Sequence, residues 1–144
     1  MARDSLVLLE NHGDTLPLSK NTTVALIGPL ADSPVDMLGS WSAVGVAEQA
    51  VTLRQGMQAA LEGQGKLLYA LGANVTDDAG MIKYLNFLNW DRPEVVQDPR
   101  PPQAMIDEAV RAAREADVIV AALGEARGMS HESSSRTSLT LPAS

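Results

Sequence analysis

Between Glu125 and Arg136 the chain gathers Glu125, Arg127, His131, Glu132 and Arg136 within twelve residues. Carboxyl groups and imidazoles are the usual carriers of general acid and base chemistry, and guanidinium groups hold carboxylates in fixed geometry. The segment follows an uninterrupted apolar run ending at Leu123-Gly124. In open parallel sheets, ligands collect at such carboxyl ends of strands. Two readings stand on residue types alone. Glu125 and Glu132 can serve as acid or base. The plainer alternative has Glu125 bonding loop backbone and Glu132 as a solvated charge, and it is favoured at this point because surface Glu is common.

A second strand end is Gly28-Pro29-Leu30-Ala31-Asp32, which leads to Gly39-Ser40-Trp41-Ser42. It has neither the G-x-G-x-x-G spacing of a dinucleotide loop nor the G-K-[ST] of a phosphate loop, so nucleotide binding is a minor reading. Trp41, flanked by Gly and Ser, reads as an exposed contact, and an aromatic face suits the apolar face of a sugar. His12 and His131 are too isolated to predict a metal site. No cofactor is implied.

These residues need a scaffold. Thr22 to Gly28 is a continuous β-branched and aliphatic run, which suits a strand buried on both faces of a parallel sheet. Lys66 to Leu71 is a second strand candidate and Val118 to Gly124 a third. Thr52 to Leu61 carries Leu53, Met57, Ala60 and Leu61 at helical spacing, with Gly63 as a stop. Gln103 to Ala116 is the clearest helix, with Met105, Ile106, Ala109, Val110 and Ala113 on one apolar face behind Pro101-Pro102. Ala2 to Asn11 reads as a helix end running into the extended piece Leu6 to Leu9. The loop from Leu30 to Glu48 is long. Ala73 to Pro102 is irregular, with one short helix around Met81 to Leu88, and reads as an insertion over one edge of the sheet. Strand and helix alternate, which predicts an α/β fold: a mainly parallel sheet with flanking helices, a three-layer sandwich.

Bulk properties narrow the classes. The chain has 144 residues, enough for one domain with a core. A net charge of −7 with no basic stripe argues against a nucleic-acid partner. The absence of cysteine removes disulfides and thiolate chemistry. No segment approaches the length of a membrane helix, and no secretory signal opens the chain.

Taken together, the motifs resemble a known family. Ser5-Leu6-Val7-Leu8-Leu9-Glu10-Asn11, then Leu16-Pro17-Leu18, then Val24-Ala25-Leu26-Ile27-Gly28-Pro29, resemble the opening of the second domain of family 3 glycoside hydrolases. Gly39-Ser40-Trp41-Ser42 resembles their substrate-side loop. Val120 to Glu125, His131-Glu132-Ser133-Ser134-Ser135-Arg136 and Leu139-Thr140-Leu141-Pro142 resemble their acid/base segment. The likeness runs from Ala2 to Pro142 and is strongest to bacterial periplasmic β-glucosidases.

The resemblance implies a split active site. An amino-terminal barrel supplies an aspartate nucleophile, and the second domain, an α/β sandwich, supplies the acid/base glutamate for cleavage of terminal β-D-glucosyl residues from a β-glucoside or oligosaccharide. Glu132 matches that acid/base. Glu125, the weaker candidate, orients the loop beside the substrate; Arg136 holds loop or carboxylate geometry; Trp41 lines the sugar site. A retaining enzyme needs its two carboxyl groups about 5–5.5 Å apart, one ionised and one protonated. Ser138 stands where the family usually carries an acidic residue. The resemblance also implies a periplasmic or secreted parent with any export signal upstream. On this reading residues 1–144 are part of the second domain, inactive without the barrel. The three candidate strands make a thin sheet with an exposed edge, which predicts marginal stability or self-association, checked by sedimentation and thermal scans. The competing reading is a non-catalytic carbohydrate-binding or interaction module.

Overall fold

The computed structural model describes residues 2–87, 93–132 and 134–141. Three parallel strands form one sheet: β1 (Thr23–Ile27), β2 (Lys66–Ala70) and β3 (Val118–Ala121), in the spatial order β2-β1-β3. Thr23 is opposite Lys66 in one ladder, and Val24 is opposite Val118 in the other. Three helices accompany them: α1 (Leu53–Leu61), α2 (Ala79–Phe87) and α3 (Pro102–Arg114). α1 packs on β2, while α3 packs on β2 and β1. Right-handed crossovers that leave β1 in one direction and return past it in the other put α1 and α3 on opposite faces of the sheet. This is the α/β sandwich that the alternation of strand and helix predicts.

The continuous apolar run forms the central strand. Val24, Ala25 and Leu26 are fully buried, because β1 has a strand on each side and side chains alternate to two covered faces. β3 differs from expectation. It ends at Ala121 rather than Gly124, its burial alternates, and Ile119 is 56% exposed. Among the described residues its outer edge has no neighbouring strand, so one sheet face beside it is open. Ala122 to Gly124 turn away from the ladder, although Ala122 N–H still donates to Ile27 O at 2.8 Å.

Gly28 lets the chain turn at the end of β1. Its φ is +134°, and a Cβ there would lie 2.3 Å from the carbonyl oxygen of Ala122. Only glycine permits the segments leaving β1 and β3 to approach this closely.

The helices begin where local chemistry starts them. Thr52 caps α1: its hydroxyl accepts the Gln55 N–H at 3.2 Å and the Gln55 side chain accepts the Thr52 N–H at 3.0 Å. Asp78 starts α2, accepting the N–H groups of Gly80 and Met81 at 2.7 and 2.9 Å, which is why this helix starts at Ala79 and not at Met81. On α3, Met105 is buried as expected, but Ile106 and Val110 are 46% and 41% exposed. With Ile27, Leu71 and Leu123 they line an open apolar hollow of about 270 Å³ between α3 and the carboxyl ends of the strands. Upstream of α3, Arg100 grips Asp98 at 2.7–2.9 Å and reaches Glu108 on the helix at 2.8 Å. The Arg100 guanidinium holds the Asp98 carboxyl below the usual aspartate range.

The expected insertion over a sheet edge has a different place. Leu85 of α2 and Val95 form a small second core with Ala126 and Met129, flanked by Val75 and Ile82. The described residues of segment 73–102 therefore form a platform under the chain that follows β3, while Leu88, the expected end of its helix, lies outside the described residues. The amino-terminal expectation is also revised. Ala2–Ser5 is a single 3-10 turn, and Leu6 to Leu9 run on without strand partners and largely exposed.

Candidate active-site loop

Three stretches far apart in sequence meet beyond the carboxyl ends of β1 and β3. From the loop after β1, the Arg127 N–H donates to Asp36 Oδ1 at 2.7 Å. From the same loop, the Ser40 hydroxyl reaches the carbonyl oxygens of Arg127 and Ser130, 2.6 and 3.0 Å away. From the platform, Glu94 Oε1 accepts the Gly128 N–H at 2.6 Å and Glu94 Oε2 accepts from Arg127 Nε at 3.4 Å. Backbone groups of a loop cannot pair with a ladder, so these side chains satisfy them and fix the path of 127–130.

The far side of the loop is held by a second cluster. Glu125 and Arg136 form an ion pair, the Ser130 hydroxyl donates to Glu125 Oε2 at 2.9 Å, and Arg136 Nη2 donates to the Met129 carbonyl oxygen at 2.8 Å. Arg136 spans a carboxylate and a backbone carbonyl at once, which suits its forked guanidinium. Ser134 N–H donates to His131 O at 3.0 Å, closing the turn that contains Glu132. The His131 ring meets the Glu132 carbonyl oxygen through Nδ1.

Beside this loop lies a hollow of about 700 Å³ between α2 and residues 134–141. Asp78, Tyr84, Glu125, Arg136 and hydroxyl-bearing residues from 134 to 140 line it. Met81, Met129 and Leu141 add apolar surface to its lining.

The sequence-derived candidates fall into two groups. Glu125 and Arg136 are brought together as a pair and face the hollow. Glu132 is exposed at the turn and is not among the residues lining the hollow. Trp41 is 78% exposed, and the neighbouring Ser40 ties its loop to the loop of Glu132. Ser133, inside the Glu-Ser-Ser-Ser-Arg motif, and Pro142 lie outside the described residues. Asp36 and Glu94 were not singled out from sequence. Glu94 meets its partner 34 residues away, and no local pattern marks such a pairing.

With this geometry in view, comparison with known proteins is decisive about kinship. The profile of the glycosyl hydrolase family 3 C-terminal domain matches residues 6–144. The chain belongs to that family. A periplasmic beta-glucosidase of Salmonella typhimurium is 56% identical over all 144 residues, which make up 18% of the length of that protein. A xylan 1,4-beta-xylosidase of Xylanibacter ruminicola is 39% identical over 86 residues, 59% of this chain and 9% of that protein. Among solved structures, the beta-glucosidase of Listeria innocua in complex with gluconolactone superposes with a TM-score of 0.67 at 26% identity, covering 94% of this chain and 15% of that one. The chain thus spans less than a fifth of these family 3 relatives, and its α/β sandwich is the one found in the solved family 3 β-glucosidase.

Proposed function

We propose that this chain is the part of a retaining family 3 β-glucosidase that carries the general acid/base, with Glu132 in that role. The observation that carries the proposal is the convergence of the Gly39–Ser42 loop with the loop of Glu132, joined through Ser40. The 56% identity to a periplasmic beta-glucosidase supports a β-glucoside as substrate and a periplasmic parent.

In the proposed reaction, an aspartate carboxylate from an amino-terminal barrel attacks the anomeric carbon. The glycosidic C–O bond breaks, and the departing oxygen takes the proton of Glu132. Water then attacks the glycosyl-enzyme ester while the Glu132 carboxylate accepts its proton, restoring both groups. Glu125 and Arg136 hold the far side of the loop, and Trp41 offers an aromatic face to the sugar. Two carboxyl groups carry the reaction without a cofactor. Because the nucleophile belongs to another domain, the segment alone is expected to show no turnover.

The test replaces the aligned 144 residues of the Salmonella enzyme with this chain and assays an aryl β-glucoside. Glu132→Ala in the chimera should lower kcat by about a hundredfold or more, because breakdown of the glycosyl-enzyme loses its base. Azide should restore part of the activity by attacking the glycosyl-enzyme in place of water, which needs no base, and formate by standing in for the missing carboxylate. Unchanged turnover in that variant would sink the Glu132 assignment and favour a non-catalytic role for the module.

A further inference from the structure

Glu132 stands midway between two anchored points, four residues after Gly128 and four before Arg136. The second anchor is the Glu125–Arg136 pair already described. The first is built on a carboxylate that the proposed reaction does not use. The Glu94 side chain is only 3% exposed. A carboxylate is an expensive group to bury unless donors and positive charge meet it, and Glu94 meets both, through Gly128 N–H at 2.6 Å and Arg127 Nε at 3.4 Å. Its mounting is tied to the platform through the adjoining residue. The next residue, Val95, is buried in the second core, and its N–H and C=O are both held by the Asn86 amide of α2 at 2.9 Å.

Gly128 is fitted to this carboxylate. A Cβ at that position would lie 2.6 Å from Glu94 Oε1 and 2.9 Å from Leu85 Cδ2. The loop backbone therefore sits down on the platform with no side chain between, and Asp36 and Ser40 hold the same turn from the other side.

We infer that Glu94 is a positioning residue for catalysis: its buried carboxylate, by gripping Gly128 and Arg127, fixes the first anchor of the loop so that Glu132 reaches the glycosidic oxygen. The inference rests on the reading of Glu132 as the acid. A general acid acts only within hydrogen-bond reach of the departing oxygen, so a loop free to drift by an ångström loses protonation while the sugar pocket can still bind.

Leaving groups separate this role from simple support of the fold. An alkyl β-glucoside needs its departing oxygen protonated, whereas a 2,4-dinitrophenyl β-glucoside loses a stable phenolate without help. In the Salmonella chimera, Glu94→Ala should lower kcat/KM on the alkyl glucoside by about tenfold or more and on the dinitrophenyl glucoside by less than about threefold. Glu94→Gln keeps an oxygen for Gly128 N–H but loses the charge facing Arg127. It should show the same selectivity with a smaller loss, and it serves if the alanine variant does not fold. Equal losses on both substrates, or none, overturn the inference. Glu132→Ala is run alongside. If it shows the leaving-group selectivity and the Glu94 variants do not, the inference alone falls. If Glu132→Ala shows no such selectivity, the acid assignment falls and takes this inference with it.

Discussion

Replacing Gly28 by alanine tests whether the junction of β1 with the segment leaving β3 is as tight as the structure has it. A Cβ at Gly28 would lie 2.3 Å from Ala122 O and 2.8 Å from Ala122 C, at a backbone φ of +134°. Ordinary contact begins near 3.4 Å, so the two backbones must separate by about 1 Å. Both are tied at this point, by Ala122 N–H to Ile27 O at 2.8 Å and by Gly28 N–H to Ala70 O at 3.2 Å, and separation strains these bonds. Backbone strain at positive φ costs about 1–3 kcal/mol and forced repacking about the same, which gives about 2–6 kcal/mol. That is a large share of the roughly 5–15 kcal/mol by which a domain is stable. Gly63→Ala is the control. Gly63 also has positive φ, +72°, but a Cβ there would meet nothing within 4 Å, so only the conformational cost of about 1–2 kcal/mol applies. In urea unfolding followed by circular dichroism, with a slope of about 1.5–2 kcal/mol per molar, the Gly28 variant should lose about 2 M in midpoint and the control under about 1 M. Equal shifts would refute the reasoning, since they would mean that the contact with Ala122 contributes nothing.

The Arg136 clamp and the Asp98 pair give further tests. Arg136→Ala removes the partner of Glu125 and the donor to Met129 O, and should destabilise by about 1–3 kcal/mol, with amides 126–131 exchanging faster by hydrogen–deuterium exchange. Arg136→Lys should recover less than half of that, since a single ammonium does not reproduce the fork. The Asp98 carboxyl is held below its ordinary value of about 3.9 chiefly by the Arg100 hydrogen bonds. A lowered folded value means that its contribution is present above about pH 4 and is lost as pH falls from there through the folded pKa. Asp98→Asn should therefore melt lower than the parent at pH 7, with the gap closing toward pH 2–3 in thermal scans.

Some of the site was legible in the chain itself. The run Val24 to Leu26 is apolar without alternation, which suits a strand covered on both faces, and the fold buries it between its two neighbours. Thr52 and Gln55 mark the start of α1 because a capping box is local. The positions of Glu125 and Glu132 just past an apolar run marked a strand end where ligands gather. β3 was read too long for a physical reason. Ala121 to Leu123 are as apolar as the strand before them, but the neighbouring β1 ends at Ile27, opposite Ala121, and turns at Gly28, so the ladder stops there.

By itself, then, the sequence determined the alternation of strand and helix, the family motifs and the residue types available for acid/base chemistry. All of these follow from local periodicity or contiguous patterns. Tertiary structure alone decided how the chemistry is held. Glu94 and Gly128 are 34 residues apart, and Ser40 and Ser130 are 90 apart, and each pair meets only because crossovers return the chain to the same end of the sheet. The segment that reads as an irregular insertion became the platform under the loop because Leu85 and Val95 bury against Ala126 and Met129.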